Sequence, residues 1–295
     1  MQAKNIVITV LVLALIGAVA MLTLSNKEEA TNPNIDDAPV DVLPVEPDGG
    51  IGDGAEPLSE VEQAERGNTT LIGASVSGSE IIAHHFGEGE KEILLVGGVH
   101  GGYSPSTAKL ASELMAYYGT HESEIPSNLT LTIIPNLNSD GATKSGAAGR
   151  FNANNVDLNR NFDCDWSATG VWQNREVSGG TAPFSEPEAA ALRDYVNTYD
   201  PAAAVVWFGA EGKVYPSACE GTPSKASVTL AATFASAAGY PAEAEFDAYA
   251  ITGDMVNWMA KQGIPAISVL LTTHEGSEFE KNLAGVQAIL NAYAE

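Results

Sequence analysis

Four short runs of consecutive apolar residues stand out in the last two-thirds of the chain: EILLVGG (Glu92 to Gly98), LTLTIIP (Leu129 to Pro135), AAAVVWF (Ala202 to Phe208) and AISVLL (Ala266 to Leu271). Each is short and mostly apolar, with only the threonines of LTLTIIP interrupting, so each predicts a buried strand. Between them the apolar spacing becomes helical. STAKLASELMAYYG is amphipathic and stops at Gly119, and SKASVTLAATFASAAG and the terminal EKNLAGVQAILNAYAE have the same period. SEPEAAALRDYVNTY starts with Ser185 and has Glu188 three residues on, the spacing of a capping box with Ser185 as N-cap. Strands alternating with helices predict an α/β fold around a largely buried sheet, mixed or parallel.

A fifth apolar run is of a different kind. Residues 6–24, IVITVLVLALIGAVAMLTL, are uncharged and follow Lys4. A helix of roughly 20 such residues spans a bilayer core. The run predicts a transmembrane signal anchor or, since AVA at Ala18 to Ala20 has the small-x-small pattern, a cleaved signal peptide. Lys4 before it and acids after it place residues 1–5 in the cytoplasm and the remainder outside, with the membrane as a partner. Residues 25–67 carry about a dozen acids among Pro, Asn and Gly and bury too little apolar surface to fold, which predicts a disordered linker. The folded domain is then residues 68–295.

The formal net charge is -24, which repels phosphate backbones and argues against a nucleic-acid partner. Cys164 and Cys219 are the only cysteines. An oxidising compartment suits a disulfide between them, with two free buried thiols as the alternative. The loop from Asn136 to Phe162 concentrates Arg150, Asn159 and Arg160 in a chain poor in basic residues. Guanidinium groups beside an amide suit a carboxylate ligand, and two arginines on a solvated loop are the plainer reading.

With these segments in view, the sequence resembles the zinc carboxypeptidases of the carboxypeptidase A type. GGVHGG, NLNSDG, GRFNANNVDLNRNF, PFSEPEAAAL and YAITGDMVNWMAKQGIPAISV occur in the family's order, over about Leu71 to Tyr293. The resemblance implies a sheet of about eight strands flanked by helices, with a site at the strands' C-terminal edge. It also implies a reaction in which one zinc ion, held by two histidines and a glutamate, activates water while a further glutamate takes the proton. Arg150 matches the arginine that polarises the scissile carbonyl. Asn159 and Arg160 match the pair that holds the substrate carboxylate, Tyr249 matches the tyrosine that closes over it, and Val256 matches the floor of the side-chain pocket.

The metal positions depart from that pattern. His100 is present, but the glutamate three residues on is Tyr103, the second histidine is Phe208 and the general base is Leu270. A lone histidine does not retain catalytic zinc, so no cofactor and no activity are expected. What remains is a domain that binds the C-terminus of a peptide or peptidoglycan stem peptide. One rival is an active metallocarboxypeptidase that recruits Glu211, His274 or Glu275 as substitute ligands. Another is a structural or interaction domain on the same fold. His84, His85 and His121 are given no role.

Overall fold

The computed structural model describes residues 67–295; the cytoplasmic segment 1–5, the apolar span 6–24 and linker residues 25–66 lie outside the described residues. In chain order the elements are β1 (Thr69–Ala74), β2 (Glu80–Phe86), β3 (Lys91–Val96), α1 (Pro105–Tyr118), β4 (Leu129–Ile134) and α2 (Ser139–Ala142). They continue with β5 (Thr169–Trp172), β6 (Arg175–Ser178), α3 (Pro187–Tyr199), β7 (Ala203–Gly209) and β8 (Lys213–Pro216). The last four are α4 (Lys225–Ala238), α5 (Met255–Lys261), β9 (Ala266–Leu271) and α6 (Phe279–Tyr293).

Among the described residues seven strands form one mixed sheet in the order β1-β2-β4-β3-β7-β9-β8, against about eight expected. The four apolar runs are its parallel centre. Leu94 pairs with Thr132 on one side and Ala204 on the other, and Phe208 pairs with Leu270. The outer strands β1, β2 and β8 run antiparallel to their neighbours. Their composition hid them, because β1 is an exposed edge and β2 carries His84 and His85. Strands β5 and β6 form a separate ribbon.

Burial on both faces explains the unbroken apolar runs. Ile93, Leu95 and Val205 face a layer that contains Leu110 and Leu114 of α1, Phe234 of α4 and Val286 of α6. Leu94, Val96 and Val206 face Leu192 and Val196 of α3 and Trp258 of α5.

Helix α4 is capped by a local side chain, whereas the cap expected of α3 does not form. Ser224 caps α4 by accepting from the Ser227 N–H at 3.0 Å. Ser185 does not cap α3, whose N-cap is Glu186. The Ser185 Oγ accepts instead from the Thr181 N–H and Asn161 Nδ2, while Glu188 turns inward to accept from the Val76 N–H and Asn152 Nδ2. Tertiary partners for both side chains displace the local cap.

Cys164 and Cys219 are joined in a disulfide, with Cα atoms 5.8 Å apart and 55 positions between them in sequence. Loop-closure entropy for a cross-link of that span is worth about 4 kcal/mol. Reduction is therefore expected to lower the unfolding free energy by several kcal/mol, read as the shift in urea midpoint with and without dithiothreitol. An unchanged midpoint would mean that the reduced chain keeps the same loop closed.

Candidate functional site

The parallel strands end on one side of the sheet, and the strand order reverses at β3, which has β4 on one flank and β7 on the other. Loops that leave such a point diverge and open a crevice. Here the cavity is about 490 Å³, a size suited to a small ligand. His100 and Tyr103 follow β3, Phe208 and Leu270 end β7 and β9, and Arg150, Arg160 and Tyr249 enter from the longer loops.

Arg150 is buried at the centre of a charge cluster. Its Nε donates to Asp157 Oδ2 at 2.7 Å, and its Nη1 donates to His100 Nδ1 at 3.2 Å. The guanidinium also lies 4.7 Å from the Trp172 ring centroid, a cation–π contact. With Nδ1 accepting, the ring proton sits on His100 Nε2, 3.4 Å from Asp157 Oδ1, which is long for a hydrogen bond. Burial, then the Arg150 charge, push the His100 pKa down to about 4 against the pull of Asp157. Burial alone would raise the Asp157 carboxyl, but Arg150 and His100 outweigh it and hold the group well below the usual range.

Arg160 is only 1% exposed and is held differently. Its Nε and Nη2 donate to Val171 O on β5, and its Nη1 donates to Asn159 O at 2.6 Å. Gly170 makes room for this arrangement, since a Cβ there would lie 2.8 Å from Arg160 Cδ. Among the described residues no carboxylate forms an ion pair with Arg160, and it lines the cavity. Five donors against these three bonds leave N–H groups for a ligand.

The other expected site residues divide. Tyr249 lines the cavity with its ring centroid 6.0 Å from the Arg160 guanidinium carbon. Asn159 also lines it, but its amide is largely engaged at the start of α5: Nδ2 donates to Asp254 Oδ2 at 2.7 Å and Oδ1 accepts from the Met255 N–H. Val256 is not a pocket floor. It is buried against the sheet because α5 starts at Met255 and turns its second residue inward, leaving Asp254 and Asn257 to line the cavity. Asp157, Trp172 and Asp254 were not singled out from the sequence; only Asp157, an acid three residues before Arg160 in VDLNRNF, offered a signal there.

The family model described as zinc carboxypeptidase matches residues 58–280. The chain belongs to the zinc carboxypeptidase family. Carboxypeptidase O of Bos taurus is 34% identical over 84 residues, a match that spans 24% of this chain and 22% of that protein. Murein-tripeptide amidase MpaA from Escherichia coli O157 shares the fold at TM-score 0.57 and 20% identity, over 82% of this chain and 98% of that one. Carboxypeptidase A from Helicoverpa armigera does so at TM-score 0.62 and 18% identity, over 80% and 71% of the two chains.

A zinc ion does not fit the residues that this zinc carboxypeptidase domain presents. The Nδ1 lone pair of His100 accepts from Arg150, and the rings of Tyr103 and Phe208 flank the imidazole with centroids 6.4 and 5.4 Å away. Of the proposed substitutes, Glu211 accepts from the Tyr215 hydroxyl and Glu275 is exposed, while His274 has its Nδ1 bonded to Ser104 Oγ and only Nε2 left over. Among the described residues the one trio of potential ligands is Cys164, Asp165 and Cys219, whose sulfurs are bonded to each other.

The cluster should make folding acid-sensitive. An unfolded His100 titrates near 6.5 and the folded one near 4. Between those values the unfolded chain binds a proton that the folded chain does not, so stability falls as pH drops through this window, by up to about 3 kcal/mol. The depressed Asp157 carboxyl adds a further loss at lower pH, with the same sign. Urea unfolding across this range checks the slope, and His100→Gln is expected to flatten it.

Proposed function

We propose that this domain captures the free C-terminal carboxylate of a peptide, or of a peptidoglycan stem peptide, without hydrolysing it. The observation that carries the reading is Arg160, a buried guanidinium in the cavity wall with N–H groups to spare and no ion-pair partner among the described residues. A desolvated cation without a counter-charge is costly unless an anion completes it. A carboxylate does so through paired charge-assisted hydrogen bonds, with Tyr249 able to close over it. Arg150 is committed to Asp157 and His100 and contributes long-range charge. The metal position supports the absence of hydrolysis in this reading, because Tyr103, Phe208 and Leu270 stand where the family has two zinc ligands and the general base.

The likeness to a murein-tripeptide amidase supports the stem-peptide form of this reading at the level of fold. We also propose that the domain works outside the cytoplasmic membrane, tethered through residues 6–24.

Calorimetric titration of the purified domain with a free-acid peptide, its C-terminal amide and a peptidoglycan stem tripeptide tests the proposal. Binding of the acids and not the amide is expected, with less than about 0.1 equivalent of retained zinc, since a catalytic site takes three protein ligands. Equal binding of acid and amide would sink it. Chelator-sensitive release of the terminal residue would favour the active metallocarboxypeptidase instead.

A further inference from the structure

We propose that His274 is a second ligand-binding residue of the cavity, whose Nε2–H donates to a carbonyl or carboxylate oxygen of the bound peptide, with Ser104 as the positioning residue that fixes this tautomer. The proposal deepens the carboxylate-binding reading and rests on it.

His274 follows β9 and lines the same cavity as Arg150 and Arg160. It is held from three directions. Its Nδ1 lies 2.8 Å from Ser104 Oγ, its carbonyl accepts from the Ser106 N–H, and its ring centroid is 4.4 Å from that of Tyr103. Strand β7 leaves room for this arrangement by having Gly209 at its end. A Cβ there would lie 2.8 Å from His274 Nδ1 and 3.0 Å from Ser104 Oγ.

The direction of the Ser104–His274 hydrogen bond follows from what surrounds the hydroxyl. Ser104 is fully buried, and among the described residues its Oγ has no hydrogen-bond partner except His274 Nδ1. A buried hydroxyl needs an acceptor for its hydrogen, so Ser104 donates and Nδ1 accepts. The ring proton is then on Nε2. Nε2 has no protein partner among the described residues, and it lies on the ring edge away from Ser104. The cavity therefore gains a preorganised neutral donor in addition to Arg160, suited to an oxygen further along the peptide than its terminal carboxylate. Ser104 is not a nucleophile here, because it does not line the cavity.

Two measurements test the assignment. Ring ¹⁵N shifts of His274 should show a neutral Nε2-protonated imidazole, which Ser104→Ala converts to a mixture of tautomers. In calorimetry with trialanine and a peptidoglycan stem tripeptide, His274→Ala should weaken binding about 3- to 10-fold, the effect of one neutral hydrogen bond. His274→Gln, whose amide nitrogen reaches the place of Nε2, should recover most of it. An Nδ1-protonated ring overturns the proposal whatever the binding shows. So does His274→Ala protein that binds like the wild type. If the wild type binds neither peptide, the carboxylate reading fails and takes this proposal with it; if only the His274 variants are silent, that reading stands.

Discussion

Asp157→Ala protein is expected to unfold with about 3–5 kcal/mol less free energy than the wild type at neutral pH, the cost of stranding a buried charge. Asp157 is fully buried and is the only anion that forms an ion pair with Arg150 among the described residues. It also accepts the Asn159 N–H at 3.1 Å, which fixes the turn that leads into Arg160. Without the carboxylate, the guanidinium keeps only His100 and the faces of Trp172 and Tyr103. Those neutral partners do not replace a charge-assisted bond in a desolvated setting. Asp157→Asn keeps an acceptor and should lose less. Removing both charges, as in Arg150→Met with Asp157→Ala, should recover part of the loss, because no unpaired ion remains. Urea unfolding of the four proteins makes the comparison. A loss below about 1 kcal/mol for Asp157→Ala would mean that water entering through the cavity solvates Arg150 as well as the carboxylate does.

The same cluster marks the limit of what the sequence made legible. The central strands could be read because burial on both faces leaves an unbroken apolar run, and the helices between them kept their period. Edge strands β1 and β8 carry no such mark, and α3 begins at a residue that local capping rules did not select. At the site, the order of motifs located His100, Arg150, Arg160 and Tyr249, which the fold brings to one cavity. It did not reveal that Arg150 is committed to Asp157 and His100, since that depends on a contact across 50 residues. Nor could it show that Val256 turns into the core while Asp254 faces the cavity, because half a helical turn separates those outcomes. Ser104 and His274 lie 170 positions apart, and only the folded chain brings them together.

Arg160→Ala should abolish discrimination between a free-acid peptide and its amide and weaken binding of the acid by about two orders of magnitude or more, as truncation of one partner in a desolvated charge pair costs 2–5 kcal/mol. Two features make the effect large. The guanidinium is preorganised by Val171 O and Asn159 O, so a ligand bears little of the cost of ordering it. The ligand carboxylate also supplies the counter-charge that no described residue supplies through an ion pair. Asp254 feels the Arg160 charge, yet burial raises its pKa and it is occupied by Asn159 Nδ2 and the Asn257 N–H. Arg160→Lys should fall between, because an ammonium keeps the charge and loses the fork that grips both oxygens. Some loss of stability is expected in both variants, since the side chain also holds the β5 ribbon. For that reason the ratio of acid to amide affinity, rather than affinity alone, is the decisive readout. If the ratio survives in Arg160→Ala protein, the carboxylate is held elsewhere, and Arg160 is a buried strut for the ribbon.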